Sequence, residues 1–131
     1  METPDLVPAD QDDATVVLVV EDEFVVRLAI ADELRSFGLT VVEAANATEA
    51  WLYVKSGGRV DIVFSDVQMP GSMDGVEFAR RVRADYPAIP FILTSGNVPE
   101  ESLGGLTPFV RKPYRFEEVK RIILEILRRN Q

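Results

Sequence analysis

The sequence predicts a doubly wound α/β fold built on a five-stranded parallel sheet. Three observations carry that prediction. Short runs rich in β-branched residues alternate with helical patterns from Thr15 to Arg129, the arrangement of successive βαβ units. The first run, Val16–Val20, is apolar throughout, as a central parallel strand covered on both faces requires. Finally, Glu21-Asp22, Asp66, Ser95 and Lys112 all stand at the C-terminal ends of such runs, the sheet edge at which open α/β sheets bind ligands.

The elements follow in order. After Val16–Val20, residues 24–37 place Val25, Leu28, Ala29, Ala31 and Leu34 at helical spacing, and Gly38 ends the pattern. Leu39–Val42 forms a short second strand. Ala47–Val54 forms a helix with Ala50, Trp51 and Val54 on one side, closed by Gly57-Gly58. Val60–Ser65 is the third strand. Asp74–Tyr86 is a helix packing through Val76, Phe78, Ala79, Val82 and Tyr86, and Pro87 bars its continuation. Phe91–Ser95 and Phe109–Arg111 are the last two strands. Arg115–Arg129 is the final helix, with Phe116, Val119, Ile122, Ile123, Ile126 and Leu127 on its apolar side and Arg128 and Arg129 complementing the dipole of its last turn. Right-handed crossovers between these strands give the order 2-1-3-4-5 of the flavodoxin-like class, with the ligand crevice between strands 1 and 3.

Composition narrows the chemistry. The 131 residues suit one domain, taken as residues 14–131, behind an acidic lead-in over residues 1–13. There is no Cys and no His, so thiolate chemistry, disulfides and the commonest general base and zinc ligand are excluded. The net charge is −8, and Glu2, Asp5, Asp10, Asp12 and Asp13 supply five of those negatives. Such a balance argues against nucleic acid as a partner. No apolar run approaches the ~20 residues of a membrane span, and the N-terminus lacks the basic and apolar regions of a secretory signal. The expectation is a soluble cytoplasmic protein.

At the strand ends, Glu21, Asp22 and Asp66 would converge. Clustered carboxylates repel unless a cation intervenes, and an all-oxygen set suits a hard cation such as Mg²⁺, which needs one or two carboxylates completed by water and phosphate. A carboxylate can also attack phosphorus to give an aspartyl phosphate. Mg²⁺, Lys112 and the Ser95 hydroxyl would then neutralise the phosphoryl oxygens. Asp66 is the natural acceptor, since the Pro-, Gly- and Met-containing loop after it leaves its side chain accessible. Trp51, Met69 and Met73 read as packing residues, and Arg80, Arg81 and Arg83 as a solvated helix face.

The motifs Val17-Leu-Val-Val-Glu-Asp-Glu23, Asp66-Val-Gln-Met-Pro70, Met73-Asp-Gly-Val-Glu77, Thr94-Ser-Gly96 and Lys112-Pro113 stand in the order and spacing of the receiver domains of two-component response regulators. The chain resembles that family from about Thr15 to Arg129. The resemblance implies that Asp66 is the phosphoacceptor. It implies that Asp22 binds Mg²⁺ directly and Glu21 mostly through water, with the backbone carbonyl of Gln68 completing the ligands. It further implies that Ser95 is the switch hydroxyl, Lys112 the phosphoryl partner and Phe109 the aromatic switch residue. The Lys112-Pro113 bond is expected to be cis, and Gln68 and Asn97 to tune hydrolysis. Three departures stand out: Glu21 where Asp is commoner, one extra residue at Gly71-Ser72, and only thirteen residues between Ser95 and Phe109, among them Pro99, Gly104, Gly105 and Pro108. The helix expected there is short or irregular.

The resulting expectation is a stand-alone receiver. It accepts a phosphoryl group from a sensor histidine kinase and signals by protein contact, with a histidine phosphotransfer protein or a downstream target as further partners, as a monomer or weak dimer. The stand-alone reading rests on the chain ending just after the final helix; a piece of a longer protein would read the same way. Two alternatives stay open: a phosphate-independent pseudo-receiver and a phosphate shuttle or sink in a phosphorelay. An aspartyl-phosphate phosphatase is disfavoured by Gln68, which stands where such enzymes carry a second Asp, and by the absence of His. Enzymatic turnover beyond the domain's own phosphorylation and dephosphorylation is therefore not expected.

Overall fold

The structure, a computed structural model, describes residues 15–97 and 108–130. The acidic lead-in and most of the segment expected to hold a short or irregular helix before Phe109 lie outside the described residues. The elements are β1 (Val16–Val20), α1 (Phe24–Ser36), β2 (Thr40–Ala44), α2 (Ala47–Lys55), β3 (Ile62–Asp66), α3 (Gly75–Asp85), β4 (Phe91–Ser95), β5 (Phe109–Arg111) and α4 (Phe116–Arg129). The strands form one sheet in the order β2-β1-β3-β4-β5, with every pairing parallel. The predicted fold class and strand order are those observed.

Side-chain alternation along the central strands builds two cores, one on each face. Leu18 and Val20 of β1, Val63 of β3 and Phe91 and Leu93 of β4 point toward α2 and α3, where they meet Ala50, Trp51, Val54, Phe78, Ala79 and Val82. Val17, Val19, Ile62, Phe64 and Ile92 point the other way, toward Ile30, Ala31 and Leu34 of α1 and Val119 and Ile123 of α4. All five residues of β1, β3 and β4 are buried, as befits central parallel strands covered on both faces.

Two expected strands shift, and one helix turns a different face inward. β2 runs over Thr40–Ala44 rather than Leu39–Val42, because its ladder with β1 extends to Val20↔Ala44 and closes with the Glu21 N–H on the Ala44 carbonyl at 3.1 Å. β3 runs over Ile62–Asp66 rather than Val60–Ser65, and Asp66 is its last residue, in register with Thr94. The buried stripe of α1 is Ile30, Ala31 and Leu34. Val25 and Leu28, expected to pack, are instead 76% and 38% exposed, beside Phe24 at 61%. This helix carries apolar residues around most of its circumference, and the sheet can cover only one side of it.

Two local features fix the loop after β3. Asp74 caps α3, its Oδ1 accepting the Glu77 N–H at 2.9 Å. Gly75 donates its N–H to the Val67 carbonyl at 2.8 Å, and a Cβ at this position would collide with the Asp66 carbonyl oxygen and the Val67 Cα. The absence of a side chain at residue 75 therefore lets the start of α3 lie directly on the backbone of Asp66.

Thr94 is 1% exposed, and its Oγ1 has no hydrogen-bond partner among the described residues. A buried hydroxyl without a partner carries a desolvation cost with no return. Thr94→Val keeps the side-chain shape and removes that cost, so it should raise the unfolding free energy by about 1 kcal/mol. Urea denaturation would measure it, and a loss of stability would show that the hydroxyl is bonded in solution.

Candidate functional site

Parallel pairing brings the C-terminal ends of β1, β3, β4 and β5 to one edge. Glu21 and Asp22 follow β1, Asp66 and Ser95 end β3 and β4, and Lys112 follows β5. Glu21, Asp66 and Ser95 are buried at 2%, 8% and 1% exposure, whereas Asp22 is exposed. Carboxylate oxygens of Glu21, Asp22 and Asp66 lie within 4.8 Å of one another. The cleft above them has a volume of about 360 Å³ and is lined by Asp22, Glu23, Asp66, Gln68, Ser95 and Lys112, among others.

Lys112 holds the centre. Its Nζ lies 3.2 Å from Glu21 Oε1 and 3.2 Å from Asp66 Oδ2. Backbone groups hold the remaining carboxylate oxygens: the Glu23 N–H donates to Glu21 Oε2 at 3.1 Å, and the Gln68 N–H approaches Asp66 Oδ1 at 3.4 Å. The Asn97 N–H donates to Ser95 Oγ at 3.2 Å. The Lys112-Pro113 peptide bond is cis, and the Lys112 N–H donates to the Ser95 carbonyl at 3.1 Å. Phe109 is half-buried at the start of β5, packed against the α2–α3 core.

The electrostatics follow from burial. Asp66 has its pKa raised above 3.8, chiefly by burial, which Lys112 offsets only in part. Glu21 is raised above 4.5 by burial and by the Asp66 carboxylate, against the Glu23 N–H and Lys112. Burial pulls the Lys112 ammonium down, but Asp66 and Glu21 together outweigh it, and its pKa stands above the ordinary value. Tyr114 is pushed well above the phenol range by burial and by the same two carboxylates. One ammonium therefore serves two buried carboxylates, with a third at the rim. The all-oxygen donor set, short of positive charge, fits a hard divalent cation.

The structure brings Glu21, Asp22, Asp66, Gln68, Ser95, Asn97 and Lys112 together around this cleft, with Phe109 one strand away. Two residues escaped the sequence reading. Glu23 contributes through its backbone N–H, which residue type does not reveal. Tyr114 lies next to Pro113 and feels the field of both carboxylates.

A five-stranded parallel sheet of order β2-β1-β3-β4-β5 with an acidic cleft at its switch point and a lysine bridging two of the acids is a receiver-like architecture. Residues 17–124 match the response regulator receiver domain family, and the chain belongs to that family. It is 39% identical over 127 residues to the sensor kinase CckA of Brucella abortus, covering 90% of this chain and 13% of the kinase. A response regulator receiver protein from Sinorhizobium medicae superposes with a TM-score of 0.84 at 25% identity, over 90% of this chain and 98% of that one. The receiver domain of the hybrid histidine kinase CckA superposes with a TM-score of 0.72 at 30% identity, over 86% and 98%. The chain thus spans about an eighth of the length of the kinase it matches, and half of the probable transcriptional regulatory protein TcrX of Mycobacterium tuberculosis.

The raised carboxyl pKa values give a signed prediction. A carboxyl whose folded pKa lies above its unfolded value binds more protons in the fold, so its contribution to stability falls as pH rises from the ordinary carboxylate range through the raised value. Asp66→Asn removes one such group. Without divalent cations, it should melt above the wild type at pH 8, and the gap should close as pH falls toward 4. Paired thermal melts would test this, and a variant less stable than the wild type at pH 8 would contradict it.

Proposed function

We propose that Asp66 accepts a phosphoryl group from the phosphohistidine of a sensor histidine kinase, and that the phosphorylated domain signals through protein contact. The observation carrying this reading is the Lys112 ammonium shared at 3.2 Å between Asp66 and Glu21. It leaves one buried carboxylate oriented, accessible from a cleft and short of positive charge. In the transfer, an Asp66 oxygen forms a bond to phosphorus as the P–N bond breaks. The electron pair leaves with the imidazole nitrogen, which takes up a proton. Lys112 is within reach to follow the phosphoryl oxygens, and Ser95 Oγ can turn from the Asn97 N–H to donate to one of them. Glu21, Asp22 and Asp66, with the Gln68 carbonyl, would hold Mg²⁺. When bound, the ion supplies the positive charge that lets an anionic acceptor meet an anionic phosphoryl group. Gln68 and Asn97 would flank the phosphoryl group and set access for the hydrolytic water, and Phe109 would be the aromatic residue that answers a movement of Ser95.

Partner contact has structural support beside the cleft. An apolar groove of about 520 Å³ runs between α1 and the start of α4, lined by Val25, Ala29, Pro113, Tyr114 and Phe116, and it shares Glu23 and Lys112 with the cleft. Exposed Phe24, Val25 and Leu28 extend this surface, and apolar patches beside a reactive cleft mark sites of protein contact. The likeness to the sensor kinase CckA also favours a second reading, in which the domain passes its phosphoryl group on to a histidine phosphotransfer protein. No helix among the described residues is long and apolar enough to cross a membrane.

With acetyl phosphate and Mg²⁺, the wild type should incorporate about one phosphoryl group per chain, and Asp66→Asn none. Lys112→Ala should slow incorporation by about 10²-fold while changing Mg²⁺ affinity far less. Full labelling of Asp66→Asn, read by intact-mass spectrometry, would disprove the assignment of the acceptor. Return of label from the phosphorylated domain to a histidine phosphotransfer protein would separate the relay reading from terminal signalling.

A further inference from the structure

Arg27 lies one turn into α1, outside the cleft, yet its side chain reaches the backbone of the acidic cluster. One guanidinium nitrogen donates to the Glu21 carbonyl at 2.8 Å, and Nε pairs with Glu43 Oε1 of β2 at 3.2 Å. Its guanidinium carbon also lies 5.4 Å from the centre of the Phe24 ring. The Arg27 side chain is only 14% exposed. Glu43 is braced in turn: its Oε2 takes Arg35 at 3.1 Å, and Arg35 also donates to the Val41 carbonyl at 3.1 Å.

The Glu21 carbonyl belongs to the peptide joining Glu21 to Asp22. On the N-terminal side of Glu21, the chain is fixed by the last ladder bond, from the Glu21 N–H to the Ala44 carbonyl. Beyond it, the chain leaves the sheet and enters α1 at Glu23, a cap position with no side-chain cap bond. Asp22 therefore sits on a short turn, exposed, between a strand end and an uncapped helix. Arg27 is the side chain that grips the peptide plane carrying it. A guanidinium suits this task because it can bond a carbonyl and a carboxylate from two of its nitrogens in one rigid plane, which an ammonium cannot do.

We infer that Arg27 is a positioning residue for the cation half of the site, orienting Asp22 through the Glu21–Asp22 peptide and itself held by Glu43. This rests on the Mg²⁺ reading proposed above. Outer partners of metal ligands act on affinity as well as on fold, and that separates a positioning role from a purely structural one.

The test is Mg²⁺ binding to the full chain, by calorimetry and by the Mg²⁺-induced rise in melting temperature. It compares the wild type with Arg27→Met, Arg27→Lys and Glu43→Gln. Arg27→Met should weaken Mg²⁺ about 10-fold and shrink the Mg²⁺-induced rise. Arg27→Lys, which keeps one donor for the carbonyl, should fall between it and the wild type. Glu43→Gln should also weaken binding, to a lesser degree. If Arg27→Met does not fold, the order wild type, Glu43→Gln, Arg27→Lys decides the matter. Variants that melt lower but keep the wild-type Mg²⁺ affinity would overturn the inference and leave the metal reading standing. A wild type that binds no Mg²⁺ would overturn both.

Discussion

The structure turns on a single ammonium group shared by two buried carboxylates. Lys112 joins Glu21 and Asp66 at 3.2 Å each, tying the end of β5 to the ends of β1 and β3 across the sheet. Desolvating three charged groups is costly, and their mutual attraction offsets that cost only where geometry is good and the remaining lone pairs are bonded. Here the backbone completes the bonding, through the N–H groups of Glu23 and Gln68. Even so, both carboxyl groups keep raised pKa values. The arrangement is thus left with a demand for more positive charge, and the sheet edge is built around that demand.

Parallel topology makes this possible. In a sheet of order β2-β1-β3-β4-β5, every strand delivers its C-terminal residue to the same edge. The two buried faces pack the strands from both sides and so fix where those ends lie. β1 is packed through Leu18 and Val20 on one face and Val17 and Val19 on the other, and the bond from the Glu21 N–H to the Ala44 carbonyl fixes where Glu21 leaves the sheet. Gly75 does the equivalent for Asp66 by letting α3 close onto its carbonyl.

Much of this was legible in the sequence, for reasons that also set its limits. Short β-branched-rich runs of strand length bounded by turns suit doubly buried strands, so β1 and β4 are legible to the residue, and the acids and lysine at the run ends can be assigned to one edge. β3 was placed two residues too early at its start and one at its end, because Val60 and Asp61 have no local feature excluding them. Register with β4, a long-range property, decides that Asp66 pairs with Thr94. The inward face of α1 was misjudged for a related reason. A helix apolar on most sides offers more than one face at helical spacing, and only the packed structure shows Ile30, Ala31 and Leu34 inside while Phe24, Val25 and Leu28 stay out. Contributions made by backbone groups, such as the Glu23 N–H, leave no trace in residue type at all.

That exposed face of α1 would link the proposed chemistry to a partner. The turn carrying Glu21, Asp22 and Glu23 leads straight into Phe24 and Val25, so the residues proposed to bind cation and those free to meet another protein lie on one continuous stretch of chain. Arg27 joins them physically, bonding the Glu21 carbonyl while its guanidinium lies by the Phe24 ring. A protein seated on Phe24 and Val25 would press on the same guanidinium that fixes the Glu21–Asp22 peptide. Any shift there would change the spacing of the acids, and a change in the acids would be felt at the docking face by the same contacts, since coupling between two sites is reciprocal. In this arrangement the proposed cation site and the exposed apolar face would need no separate connecting element, because the Arg27 side chain touches both.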